Sequence, residues 1–315
     1  VFSKLGLAVV DEQHRFGVAQ RLALRDKLNH LGGPHLEPHL LMMSATPIPR
    51  TLAMTYFADL AVSTLDELPP GRTPVLTKLF SDNRRDDVIA RIRDEVAPGR
   101  QAEQTRQVYW VCPLIEESEA LDLRNATETH AELCAALPGA RVGLLHGRMP
   151  PAEKASAMAQ FASGAMQVLV ATTVIEVGVD VPNASLMVVE HAERFGLSQL
   201  HQLRGRVGRG AVASVCVLLY TAPLSLTGKN RLRAMAETND GFEIARRDLE
   251  IRGPGEFMGA RQSGDALLRF ADLTEDNGLL AHARSTAQRL LAEHPAAAAA
   301  HVQRWLASRA DYLKA

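Results

Sequence analysis

Two adjacent carboxylates follow a short apolar run near the start of the sequence. Residues 7–10 read LAVV, and Asp11 and Glu12 come directly after them. The apolar run predicts a fully buried strand, which two ionised side chains would be costly to extend. At the carboxyl end of a parallel strand, one carboxylate can bind Mg²⁺ while the other handles a water molecule. The stretch alone is equally compatible with Asp11 acting as the N-cap of the next helix.

Hydroxyl groups follow two other apolar runs. LLMM at 40–43 is followed by Ser44, Ala45 and Thr46 and then by prolines, a pattern more typical of a helix N-terminus than of a site. ATTVIEVGVDVP at 171–182 follows QVLV and contains Thr172, Thr173, Gly178 and Asp180. Hydroxyls, a carboxylate and a glycine that permits close backbone approach suit phosphate or ribose contact. The alternative is a polar loop at a strand end.

Arginine is concentrated in QLHQLRGRVGRG at 199–210. Arg204, Arg206 and Arg209 fall within six positions, and no carboxylate occurs between residues 198 and 213. On a helix, residues 206 and 209 would share one face. Paired guanidinium groups match the oxygens of a phosphate bidentately. This segment therefore predicts a phosphate-binding site.

Composition sets the class of protein. The 315 residues are enough for about two domains. They are 46% hydrophobic and 23% charged, as in globular proteins. A net charge of −1 predicts no overall attraction to a polyanion, so any nucleic-acid surface must be local. Cys112, Cys134 and Cys216 lack metal-site spacing, which favours a reduced, cytoplasmic protein, and no signal peptide or membrane-spanning run is visible.

Strand and helix patterns alternate along most of the chain. Apolar strand patterns occur near residues 7, 40, 75, 108, 142, 168, 185 and 215, and helical patterns lie at 18–31, 83–96, 126–137 and 151–163. This order predicts an α/β fold with parallel, helix-covered sheets. PPGRTP at 69–74 has the composition of a linker, and the chain is mostly helical after Thr227.

Taken together, these segments resemble superfamily 2 helicases. DEQH, SAT, LLHGRM, ATTVIEVGVDVP and QLRGRVGR are similar to motifs II, III, IVa, V and VI of that superfamily. The resemblance is closer to the RecG branch, which comprises ATP-dependent DNA branch-migration helicases. VVDEQHRFGVAQR, MSATPIPRTLAMTYFADLAVSTLDELPPGR and DLEIRGPGEFMGARQSG carry it, and it covers essentially the whole chain. Ser44 departs from the branch, which more usually has threonine there.

The resemblance implies a division into three parts. Residues 1–70 would be the C-terminal half of a first RecA-like domain with motifs II and III. Residues 71–228 would be a complete second RecA-like domain with motifs IV to VI. Residues 229–315 would form a helical hairpin, a translocation loop and C-terminal helices.

The resemblance also implies roles for individual residues. Asp11 would bind the Mg²⁺ of MgATP and Glu12 would activate the attacking water, while Arg206 and Arg209 would reach the γ-phosphate, Arg209 as the arginine finger. Gln13, His14, Gly178 and Asp180 would lie near the nucleotide, and Ser44, Thr46 and Gln202 would couple its state to movement. The expected DNA-binding residues are Thr172, Thr173, Arg246, Arg247, Arg252, Arg261 and Gln262.

The same resemblance implies ATP and Mg²⁺ as cofactors and branched or duplex DNA as partner. We expect a monomeric, cytoplasmic, nucleoid-associated protein without membrane contact. The sequence opens on Val1 and contains no GxxxxGK[ST] phosphate loop, so we expect a C-terminal fragment without that loop or an N-terminal wedge domain, inactive by itself in ATP hydrolysis. Two alternatives stay open. One is a transcription-repair coupling translocase, whose motif II usually reads DEEQRFG where this chain has His14, and the other is a non-catalytic DNA-binding truncation.

Overall fold

The computed structural model describes residues 6–11, 39–45, 62–65, 67, 72–96, 106–113, 119–172, 181–210, 212–252 and 276–306. The chain separates into two compact units. The first comprises Val1–Val62 with Pro254–Ala315, and the second comprises Ser63–Gly253.

A six-stranded, all-parallel sheet forms the centre of the second unit. Its strands are β3 (Leu76–Ser81), β4 (Gln107–Val111), β5 (Val142–Leu145), β6 (Val168–Ala171), β7 (Ala184–Val189) and β8 (Val215–Tyr220). They lie in the order β3-β8-β7-β4-β6-β5. The predicted α/β class with a parallel sheet is therefore confirmed.

Helices cover both faces of this sheet. They are α1 (Arg85–Val96), α2 (Glu119–Ala136), α3 (Pro151–Ala162), α4 (Leu197–Arg204), α5 (Leu226–Glu237) and α6 (Gly241–Arg252). Successive residues of β4 point to opposite layers: Tyr109 belongs to the core under α3 to α6, and Trp110 to the core under α1 and α2. Because both faces are buried, the strands consist of continuous apolar runs such as VYWV and VLVA.

Helices α5 and α6 belong to the second unit and not to a separate C-terminal region. Leu232 and Met235 of α5 and Ile244 of α6 are buried in the same core as β4 and β7. The boundary expected at residue 228 therefore falls inside α5, a helix that the core requires.

The first unit contains a two-stranded parallel sheet of β1 (Leu7–Val10) and β2 (His39–Met42), with Val9 opposite Leu41. The prediction that β1 is fully buried is wrong in this structure, because Leu7 and Val9 are each 54% exposed. A pair of strands can bury an apolar face only against a further layer, and the described residues place none on this face. The predicted helix at 18–31 lies outside the described residues.

Two further helices belong to the first unit, namely α7 (Leu280–Glu293) and α8 (Pro295–Leu306). They contact each other, and Ala298 of the alanine-rich α8 is buried. The helical character predicted after Thr227 is thus confirmed where the structure describes the chain. Within the same ranges, no helix combines the length and the apolar character needed to cross a membrane.

We expect residues 63–253 to fold cooperatively when expressed alone, and residues 63–228 to lose that transition. The shorter chain lacks Leu232, Met235 and Ile244, each of which contributes roughly 1.5–3 kcal/mol when fully buried. Such a loss is a large part of a typical stability of about 5–15 kcal/mol. Trp110 is the single tryptophan in both truncated chains and lies in the core, so its fluorescence during urea unfolding provides the measurement. Equal midpoints for the two chains would contradict the assignment of α5 and α6 to this core.

Candidate functional site

The arginine-rich segment lies at the amino edge of the six-stranded sheet, where the strands begin. Val75 directly precedes β3, and a Cβ atom added to Gly208 would lie 2.8 Å from its Cγ2. Pro182 comes two residues before β7, and a Cβ atom added to Gly210 would lie 2.5 Å from its carbonyl oxygen. Both glycines therefore pack against residues at the start of strands. The sequence predicted no sheet edge for this segment. Helix α4 runs back across the sheet and delivers its C-terminus to the amino edge, opposite the edge predicted for Asp11 and Thr172.

Residues 205–210, which we call the arginine loop, are not helical. Helix α4 ends at Arg204, and the Gly205 N–H donates to the carbonyl of His201. The expectation that Arg206 and Arg209 share a helix face is therefore wrong. Gly208 has φ +77° and packs against Val75, so both its left-handed backbone and its close approach require glycine. Arg209 is exposed, Arg206 is half-buried, and Nε of Arg209 donates to the Gly205 carbonyl at 3.2 Å.

Arg204 differs from the other two arginines because its side chain is buried, with 3% of the residue exposed. Its guanidinium donates to Thr77 Oγ1 of β3 at 3.2 Å and to two carbonyls at the end of α5, those of Met235 and Thr238, at 2.9 Å each. It also donates to Nδ1 of His201 at 3.2 Å. Arg204 is therefore a structural residue that joins α4, β3 and α5, and the phosphate-binding prediction does not extend to it.

The tautomer and charge of His201 follow from this contact. Arginine can only donate, so Nδ1 of His201 must carry a lone pair. Burial first, and then the charge of Arg204, lower the pKa of His201 to about 4. The imidazole is neutral at physiological pH and accepts from Arg204. Gln202, the expected coupling residue, is half-buried on the same helix.

Thr172 lies at the carboxyl edge of the sheet, directly after β6. It is 2% exposed, and its hydroxyl has no hydrogen-bond partner within the described part of the chain. The next described residue is Val181, buried beside Pro182 at the amino edge. Thr173, Gly178 and Asp180, which come between Thr172 and Val181 in the sequence, are outside the described residues.

In the first unit, the structure brings motifs II and III together. Asp11 directly follows β1, Ser44 follows β2 by two residues, and the Met43 N–H donates to the Val10 carbonyl at 2.8 Å. Asp11 is exposed and Ser44 half-buried at the carboxyl edge of this sheet. An exposed carboxylate at such an edge fits a hard cation such as Mg²⁺. Glu12, Gln13, His14 and Thr46 lie outside the described residues.

Two of the three arginines of α6, Arg246 and Arg247, are engaged by carboxylates. Arg246 pairs with Glu243 at 2.7 Å and with Glu250, and Arg247 pairs with Glu243 at 2.8 Å and with Glu237 of α5 at 2.6 Å. Hydrogen bonds from both arginines lower the pKa of Glu243 to about 2. Any phosphate that binds these arginines, as the sequence predicted, must compete with these carboxylates. The structure does not describe the side chain of Arg252. Arg261 and Gln262 are outside the described residues.

Glu190 was not among the residues predicted from the sequence. It directly follows β7 and lines a cavity of about 500 Å³ at the carboxyl edge. Its carboxylate accepts from Nε of Arg85 at 2.6 Å, and Arg85 also pairs with Glu132 at 2.9 Å. Burial and the nearby Glu190 charge raise the pKa of the Cys112 thiol. An acidic residue directly after the apolar run SLMVV is the signal that identifies Glu190, as it does for Asp11.

We expect His201 to make the second unit sensitive to acid. Its folded pKa lies below the unfolded value, so the unfolded chain binds the extra proton and stability falls as pH drops from about 6.5 towards 4. At about pH 5.5 the loss should be about 1 kcal/mol. His201→Asn, whose Oδ1 can replace Nδ1 as acceptor, should remove this loss. Urea unfolding followed by Trp110 fluorescence in a Trp305→Phe background measures it.

His191→Asn is the matched control, because asparagine tolerates the left-handed φ of +47° found at that position. A hydrogen bond to Glu193 raises the pKa of His191. The stability that His191 contributes is therefore present at acidic pH and lost as pH rises. His191→Asn should thus make the second unit more sensitive to acid than the parent, whereas His201→Asn should make it less sensitive. An unchanged pH dependence in His201→Asn would contradict the proposed neutral imidazole.

Comparison with known proteins adds evidence from outside the structure. Residues 87–211 match the helicase conserved C-terminal domain, and residues 238–307 match the C-terminal part of domain 3 of the ATP-dependent DNA helicase RecG. The T. fusca Cas3–AMPPNP structure has a TM-score of 0.57 over 88% of this chain and 39% of its own, at 17% identity, which bears on the fold alone.

The sequence relatives are ATP-dependent DNA helicases RecG. That of Acidithiobacillus ferridurans is 60% identical over 99% of this chain, and that of Escherichia coli K12 is 55% identical over 100%. The chain spans 44% of the length of each. A solved structure of RecG bound to a three-way DNA junction has a TM-score of 0.65 and 41% identity, over 89% of this chain and 34% of that one. The chain belongs to the RecG family of DNA helicases.

Proposed function

We propose that this chain is the motor part of an ATP-dependent DNA helicase that remodels branched DNA, such as replication forks and Holliday junctions, while translocating on duplex DNA. The observation that carries the proposal is the arginine loop, which presents Arg206 and Arg209 at one edge of a rigid parallel sheet. The names of its RecG relatives support the helicase activity. None of the relatives named above favours a transcription-repair coupling translocase or a non-catalytic truncation.

ATP and Mg²⁺ are the proposed cofactors. Bound MgATP would supply the phosphoanhydride whose hydrolysis drives the motor. Asp11 would hold the metal ion, Glu12 would orient the attacking water, and Arg206 and Arg209 would stabilise charge on the γ-phosphate. Gln13, His14, Gly178 and Asp180 would contact the nucleotide. The position of Pro182 beside Gly210 of the arginine loop supports this role for Asp180, two residues earlier in the sequence.

DNA is the proposed partner at other surfaces. Thr172 and Thr173 would meet the DNA backbone, and the location of Thr172 at the carboxyl edge supports a site separate from the arginine loop. Arg246, Arg247 and Arg252 of α6, with Arg261 and Gln262 beyond it, would contact phosphates. Ser44, Thr46 and Gln202 would couple the two ligands. We further propose that the protein acts as a monomer in the bacterial cytoplasm, associated with the nucleoid.

The full-length gene product carrying Arg209→Ala tests the nucleotide role. An arginine finger is worth roughly 10³–10⁵ in turnover, so DNA-stimulated phosphate release should fall by about that factor. Affinity for a synthetic fork at fixed salt should stay close to that of the parent. Arg124→Ala removes another exposed arginine, on α2, and should change neither quantity. Retention of rapid phosphate release by Arg209→Ala would overturn the assignment.

A salt titration of fork binding tests Arg246. If its guanidinium leaves Glu243 for a DNA phosphate, Arg246→Ala should lower affinity for all sequences and reduce the slope of log affinity against log salt by about 0.9. Arg233→Ala, which removes an exposed arginine paired with Glu237 on α5, serves as the control and should leave the slope unchanged. An unaltered slope for Arg246→Ala would show that its ion pairs only stabilise α6.

A further inference from the structure

The segment 72–75 runs beside the arginine loop at the amino edge of the sheet. Nη2 of Arg72 donates to the Gly205 carbonyl at 3.2 Å. Three residues further along, the Val75 side chain packs against Gly208 so closely that a Cβ there would lie 2.8 Å from it. The Leu76 N–H then donates to the Ser214 carbonyl at 3.0 Å. The segment 72–75 therefore contacts Gly205 and Gly208, the first and fourth residues of the arginine loop.

The Gly205 carbonyl is the shared point of this arrangement. It accepts from Nη2 of Arg72 and from Nε of Arg209, both at 3.2 Å. The same peptide unit supplies the backbone nitrogen of Arg206. An acceptor with two lone pairs can satisfy both donors at once, and each donor then constrains its direction. Loss of the Arg72 bond would release the peptide plane that leads into Arg206 and that accepts from the guanidinium of Arg209.

Arg72 is held close to α4. It is half-buried, and its positive charge helps to lower the pKa of His201, after burial and Arg204. Within the chain it stands nine residues after Ser63, where the second unit begins. Arg72 therefore lies close both to the last turn of α4 and to the Gly205 carbonyl.

We infer that Arg72 is a positioning residue for the arginine loop. It holds the Gly205 peptide so that Arg209 meets the γ-phosphate in the transition state. The inference rests on the proposed function, because it requires that the arginine loop act on a nucleotide phosphate. Arg72 itself contacts neither nucleotide nor DNA in this scheme.

The test substitutes Arg72→Met in the full-length gene product, because methionine keeps an unbranched apolar stem and removes the donors. Misplacement of a catalytic group by about 1 Å can cost about 10²-fold. We expect the kcat of DNA-stimulated ATP hydrolysis to fall by roughly 10- to 100-fold, with KM for ATP changed by less than about 3-fold. Affinity for ADP with aluminium fluoride, a transition-state mimic, should fall in parallel while affinity for ADP alone is unchanged. Arg72→Lys, which restores one donor and the charge, should recover part of the rate.

Arg93→Ala is the matched control. Arg93 also donates to a backbone carbonyl, that of Ala136 at 2.9 Å, but it lies on α1 away from the arginine loop. Arg93→Ala should leave kcat and the affinities for ADP and for ADP with aluminium fluoride unchanged. If Arg72→Met does not fold, Arg72→Gln carries the same expectation, because its side chain is too short to reach Gly205 in the same way.

The outcomes separate the two proposals. An Arg72→Met enzyme with parental kcat, or one that loses ADP and ADP–aluminium fluoride affinity equally, overturns the positioning role. If Arg209→Ala abolishes hydrolysis in the same assay, the proposed function stands in either case. If Arg209→Ala hydrolyses ATP as fast as the parent, the proposed function of the arginine loop fails and the role of Arg72 fails with it.

Discussion

The buried guanidinium of Arg204 is the interaction on which the arrangement of the second unit depends. A buried cation is tolerated only when its donors are satisfied, and here the acceptors come from β3, α4 and the end of α5. Those three elements must therefore keep a fixed relation to one another. The arginine loop begins at the next residue, so its starting point is set by the core and not by the surface. His201 can take part only as a neutral acceptor, and burial, together with the charge of Arg204, lowers its pKa so that the imidazole stays neutral.

The all-parallel sheet determines where ligands can bind. Both of its faces are covered by helices, so the polar groups that can act on a ligand lie at its two edges. One edge carries the arginine loop, and the other carries Thr172, Glu190 and the cavity beside it. A rigid layer between two such edges is a physical means of making one site respond to the other. In the proposed function, nucleotide would act at the first of these edges and DNA at the second.

Several properties could be predicted from the sequence because they depend on local pattern. The apolar runs identified the strands, their alternation with helices identified the parallel sheet, and the motif order identified the helicase family. Other properties could not be predicted. The three arginines of residues 204–209 are chemically identical in the sequence, and only their surroundings show that Arg204 is internal while Arg209 is exposed. The exposure of β1 likewise depends on which layers cover it, and a strand pattern carries no such information.

The sequence by itself determined the fold class of this protein, the residues with chemical potential and the family to which they belong, since these follow from residue type and spacing along the chain. Tertiary structure alone decided that the arginine loop lies at the amino edge, that α5 and α6 complete the core, and that Arg72 shares an acceptor with Arg209. Such contacts join residues that are far apart in the sequence. Arg204 and Met235 are separated by 31 positions, and Arg72 and Gly205 by 133. Their physical origin is the packing of distant segments against one another, which leaves no periodic trace in the sequence.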